Sequence, residues 1–160
     1  MPIIPIKDEI ISQLISEEKL IPSGLCVPPK GMVLRNGHMQ KSYELDCVSG
    51  NRFVVKIRQS SVNLRNFSVI LGYVLPGLYT VFRLRRYNGK HRHSNILEKE
   101  TFYDFHVHTA TERYQRPGFN EDHFAETTSR YYDLGSAIQC LLNECGFRDP
   151  FADTPLFGKK

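Results

Sequence analysis

No run in this chain approaches the roughly 18 apolar residues that a membrane-spanning helix requires, from one end of the sequence to the other. The opening MPIIPIKDE lacks the basic start and long apolar stretch of a secretory signal. A soluble protein in the cytoplasm, with no membrane partner, is the resulting expectation. Cysteine is scarce: there are four, Cys26, Cys47, Cys140 and Cys145, and no two stand at Cys-x-x-Cys spacing. That argues against a disulfide framework and against thiolate zinc, and for buried free thiols. No Gly-rich phosphate loop, Walker pattern or Ser-His-Asp set is present, nor any repeat or low-complexity tract.

What is there reads as one domain over residues 1–150 followed by a tail over 151–160. With 160 residues the chain is long enough to bury a real core. Residues 7–20 carry Ile10, Ile11, Leu14 and Ile15 at helical spacing with acids between them. Pro22, Ser23 and Gly24 end that helix, and 26–37 is a loop by its Pro and Gly content. The period then changes to two. Tyr43, Leu45 and Cys47 alternate with acids, Ser49-Gly50-Asn51 turns the chain, and Phe53, Val55 and Ile57 follow, which is a hairpin. FSVILGYVL at 67–75 is a central strand, Pro76-Gly77 a turn, and 78–87 a returning strand with Arg83 and Arg85 on one face. A strand over 102–109 and a helix over 133–145, with Asp133 as N-cap and Gly146 as its stop, complete the pattern. The expected class is α+β: a five-stranded antiparallel meander sheet flanked by an N-terminal and a C-terminal helix.

Charge is uneven. Between Lys30 and Arg116 there are fifteen Lys and Arg against six Asp and Glu, while the two flanks hold six against eleven. A basic middle suggests an anionic partner, nucleic acid first.

The chemistry concentrates in YNGKHRHSNILEKETFYDFHVHTATERY, residues 87–114, which holds four of the six histidines as two His-x-His pairs, His91/His93 and His106/His108. On a strand over 102–109, Asp104, His106 and His108 share the polar face, and Tyr103, Phe105 and Val107 the apolar one. Imidazoles at i and i+2 can ligate a transition metal, serve as acid and base near neutrality, or stand as exposed rings. The run Asp104 to Thr109 is similar to the opening metal motif of the polymerase-and-histidinol-phosphatase family. No later Glu/His/Asp-His ligand set follows, so that family is set aside.

The layout resembles the small TumE-type toxins of bacterial toxin–antitoxin pairs: a strand ending in Arg and Tyr, a polar His-x-His-Ser-Asn loop, a Phe-His-x-His strand and a C-terminal helix. The resemblance spans about residues 81–142, with Tyr87, His91, His93, Asn95, His106 and His108 at the matching positions. It implies a compact antiparallel sheet and a toxin acting on RNA or a nucleotide-like target, neutralised by an antitoxin protein.

RNA cleavage needs a base for the 2′-hydroxyl, an acid for the leaving oxygen and a cation for the developing charge. His91, His93, His106 and His108 are the catalytic candidates, with His106 and His108 as base and acid. Arg83, Arg85 and Arg113 are candidate phosphate contacts. Asn95 belongs with them, and Tyr87 and Tyr114 could stack on bases. Tyr103 could also stack, although alternation places it in the core. The expectation is a metal-independent ribonuclease without a cofactor. The alternatives are a non-catalytic nucleic-acid- or protein-binding adaptor, and a His-rich domain holding a divalent transition metal.

Overall fold

The computed structural model describes residues 4–151. Helix α1 (Asp8–Ser16) forms where Ile11, Leu14 and Ile15 bury along one stripe, and Asp8 and Glu9 in its first turn suit the helix dipole. It stops short of residue 20 because Lys19–Leu20 (β1) pairs in parallel with Phe147–Arg148 (β11). Between these ends run β2 (Val33–Arg35), β3 (His38–Asp46), β4 (Arg52–Ser60), β5 (Phe67–Val74), β6 (Val81–Asn88), β7 (His93–Asn95), β8 (Glu100–Phe102), β9 (His106–Thr109), α2 (Glu112–Gln115), β10 (Ala125–Thr127) and α3 (Leu134–Glu144).

The class is α+β, and the main sheet is antiparallel throughout, but it has seven strands rather than five, in the order β10-β9-β6-β5-β4-β3-β2. The two additions, β2 and β10, are three-residue strands that pair along opposite margins. The expected strand over 102–109 is broken. Its first residue closes the small hairpin β7–β8, residues 103–105 cross over, and only 106–109 join the sheet. Tyr103, placed in the core by strict alternation, is therefore 61% exposed. The expected tail lies, from residue 152 onward, outside the described residues.

Helix α3 packs against β5 and β6, and α1 against β6. The core between them holds Leu14, Ile15, Val55, Ile57, Val69, Leu71, Leu84, Ile138 and Leu141. Asp133 caps α3 by accepting from the Ser136 N–H at 2.8 Å in a reciprocal capping box. Lys19 ties the two helix ends together. Its buried ammonium donates to the carbonyls of Leu14, Ile15, Glu17 and Cys145 at 2.8–2.9 Å. Burial pulls its pKa down to about 8.

One irregularity decides which arginines face which side. The β5–β6 register shifts between Leu71 and Gly72, so that Leu71 opposes Arg85 and Gly72 opposes Arg83, with Leu84 as the extra residue. A one-residue slip exchanges faces. Arg83 and Arg85, expected together, are thus split. Arg85 and Tyr87 turn to the helix side, and Arg86 joins the side of Asn88, His106 and His108.

Candidate functional site: histidines beneath a hairpin

His106 and His108 project from β9 on the face away from α1 and α3, paired across the ladder with Asn88 and Arg86 of β6. The β7–β8 hairpin folds over them and adds His93, with His91 just before it. Gly89 makes that path possible. A Cβ there would lie 1.9 Å from the Arg65 carbonyl oxygen, so the chain leaves β6 at backbone contact with the 61–66 loop. Asn95 anchors the hairpin. Its Nδ2 donates to Glu100 Oε1 and to the Ala125 carbonyl, both at 2.8 Å, and its Oδ1 accepts from Ala125 N–H at 3.0 Å.

The two His-x-His pairs do meet. Ring centroids are 4.8 Å apart for His91–His106, 5.3 Å for His93–His106, 4.7 Å for His93–His108 and 5.0 Å for His106–His108. A fifth ring, His123, lies 5.0 Å from His93. The polar face of the strand is nonetheless not open to water: His106 is 0% and His108 4% exposed. The half-buried His91 and His93 form the more accessible edge of the cluster.

Hydrogen bonds fix which nitrogens are free. His106 Nδ1 donates to the Asp104 carbonyl at 2.8 Å and His108 Nδ1 to the Asp122 carbonyl at 2.7 Å. A carbonyl only accepts, so both Nε2 atoms carry lone pairs, and His106 Nε2 is buried without a partner. His93 Nε2 lies 2.9 Å from Asn95 Oδ1. That oxygen is held as an acceptor by Ala125, so His93 Nε2 donates and its Nδ1 is free. His123 Nε2 donates to the Ser94 carbonyl at 2.9 Å.

Burial holds all four candidate rings below the ordinary histidine pKa: His106 down to about 4, His108 down to about 2, and His91 and His93 in the same direction. The Arg86 guanidinium beside them adds to this in every case. Arg86 is itself paired with Asp122, whose side chain is fully buried, at 2.9 Å. Asp122 therefore has two roles, balancing Arg86 with its carboxylate and orienting His108 with its carbonyl.

The other candidate residues sit elsewhere or inside the core. Tyr87 and Tyr114 are fully buried and cannot stack on a base. Tyr87 OH donates to Glu144 at 2.8 Å, and Tyr114 OH donates to Glu98 while accepting from Leu97 N–H. Asn95 is likewise fully buried and holds the hairpin rather than a ligand. Arg85 pairs with Glu144 on the helix side at 3.7 Å, Arg83 with Glu121 at 3.2 Å, and Arg113 with Glu98. Four of the fifteen basic residues of the middle are thus matched by acids from the flanks and hairpin. His123, Asp122 and Arg86 carry no signal in the sequence: the first two are single letters in a loop, and the third is turned toward the site by the bulge.

No family model matches the chain, and no curated protein or solved structure matches it. No helix among the described residues is long and apolar enough to cross a membrane.

Proposed function

We propose that the histidine cluster is a transition-metal centre of a phosphoester hydrolase, with RNA as the substrate class. The observation that carries the reading is that one ring nitrogen each from His93, His106 and His108 lies within 4.8 Å of the others. The hydrogen bonds leave lone pairs at His93 Nδ1, His106 Nε2 and His108 Nε2. Neutral imidazoles with the remaining N–H given to a carbonyl are what metal ligation asks for. A tetrahedral site with metal–nitrogen bonds of about 2.0–2.1 Å needs ligand nitrogens about 3.4 Å apart, so the rings close by at most about 1.4 Å on binding. Bound there, a divalent ion supplies Lewis acidity toward water and a phosphoryl oxygen. The chain's own residues supply the rest: Asp104 and Asp122 carbonyls orient two ligands, Arg86, paired with Asp122, stands opposite His108 on the ladder, and His91 stands at the edge of the cluster with its Nδ1 buried and unpartnered.

The metal-independent route has less support. It needs one ring protonated near neutrality to act as the acid, whereas burial and Arg86 keep all four candidates neutral there. In the setting implied by the TumE-type resemblance, such an activity is that of a toxin restrained by an antitoxin protein. The test is direct. Chelator-treated protein titrated with Zn²⁺, Mn²⁺ or Co²⁺ takes up one ion per chain, His93→Ala does not, and RNA cleavage follows metal content. Cleavage that survives chelation undiminished returns the histidines to acid–base work.

A further inference from the structure

The sheet face that carries the histidines continues, uncovered, across β5, β4 and β3. The ladder aligns two rows on it. In one, Lys56 opposes Ile70, Ile70 opposes Arg86 and Arg86 opposes His108; in the other, Arg58, Ser68, Asn88 and His106 follow in turn. Helices α1 and α3 lie on the opposite face. Lys56 and Arg58 are exposed, and Ser68 and Ile70 are half-buried between them and the site. At the same end, Lys90 N–H donates to the Arg65 carbonyl at 2.9 Å, so two more exposed cations border the rows. None of Lys56, Arg58, Arg65 and Lys90 has a carboxylate within ion-pair distance among the described residues, in contrast to Arg83, Arg85, Arg86 and Arg113. The acids of this face, Glu44 and Asp46, sit at its far end and are engaged by Arg52 at 3.6 and 3.0 Å.

From these placements we infer that the outer face of β4 and β5 is the path by which a single-stranded RNA reaches the histidine cluster, with Lys56 and Arg58 holding its phosphates. The inference rests on the phosphoester reading of the cluster. Lys56 and His108 are three strand spacings apart, about 14 Å at about 4.8 Å per strand, room for a few nucleotides. Beyond the histidines, Tyr103 is exposed next to Phe102, whose ring lies 5.5 Å from both His93 and His106. It offers the aromatic platform that single-strand binding pairs with a charged track. An acidic protein would match the cations but has no use for a base platform beside phosphoester chemistry.

The experiment is fluorescence anisotropy of the full chain with a labelled single-stranded RNA of about 12 nucleotides, at several salt concentrations, for the parent and for K56E/R58E. Metal content of both is measured alongside. Weaker binding by the double variant, with a slope of log K against log salt reduced by about 1.4 (about 0.7 for each phosphate no longer neutralised) and unchanged metal content, supports the path. Equal affinity of parent and variant overturns it, whatever the metal content. A parent that takes up no metal while the variant still binds more weakly removes the centre and keeps the surface. Equal or tighter binding of a same-length duplex, or of polyglutamate, overturns the single-strand occupant.

Discussion

The metal-free chain is expected to lose stability on mild acidification, because its buried histidines are held neutral. In the unfolded chain His106 and His108 take up protons near 6.5; in the folded chain they do so only near 4 and 2. A group whose folded pKa is depressed in this way binds fewer protons when folded. Its contribution is therefore complete above 6.5 and is lost as pH falls below it. At about 1.36 kcal/mol per pK unit, each ring forfeits about 2 kcal/mol by pH 5, about 4 kcal/mol for the pair. A domain of this size has only about 5–15 kcal/mol in all. The half-buried His91 and His93 act in the same direction and more weakly. Glu121 and Glu144, which burial pushes up but Arg83 and Arg130 pull below the usual carboxylate range, lose their contribution only below 4.5. The window from pH 7.5 to 5 thus isolates the histidines. Urea unfolding of chelator-treated protein at half-unit pH steps measures the loss, and His108→Asn, which keeps a donor for the Asp122 carbonyl but does not titrate, removes about half of it. A change under about 1 kcal/mol across the window, or a His108→Asn variant as acid-sensitive as the parent, refutes the reasoning.

Three further outcomes are expected. His93→Ala, at the half-buried edge of the cluster, loses metal uptake while costing the metal-free fold only about 1 kcal/mol; equal uptake of metal by variant and parent in a mass-spectrometric titration contradicts the ligand assignment. Lys19→Met leaves four carbonyls at two helix ends without their donor and costs about 3 kcal/mol or more, read as a lowered urea midpoint; an unchanged midpoint denies the tie. Gly89→Ala forces apart the contact with the Arg65 carbonyl and lowers Tm by several degrees (about 2 kcal/mol), together with metal affinity, since the displaced segment carries His91 and His93.

Periodicity was enough to locate α1, α3, the β3–β4 hairpin and the central strands, because each carries its own apolar rhythm. It could not locate β2 and β10. Three residues hold no rhythm, and they are strands only because a longer neighbour pairs with them. The His-x-His spacing foretold a meeting of four rings but not their burial. Burial comes from a hairpin whose closure depends on Asn95 gripping Ala125, thirty positions away. The arginines depart from alternation for a narrower reason. Alternation counted from Val81 runs true only to the bulge, after which every side chain of β6 changes sides. Arg86 thereby reaches the histidines, while Arg85 goes to Glu144.

The tie at Lys19 has a consequence for how the chain is made. Its partner carbonyl at Cys145 and its strand partner at Phe147 lie more than 120 positions downstream. A ribosome adding about 5–20 residues per second leaves Lys19 waiting roughly 6–25 s for them. Throughout that interval the local acceptors at Leu14, Ile15 and Glu17 are already present, and the one at Cys145 is not. The acceptor set of the ammonium is complete only when α3 and β11 bring the remaining carbonyl and the adjoining strand. One side chain thus links the first helix to the last of the described elements, and its site cannot be completed until both have been synthesised.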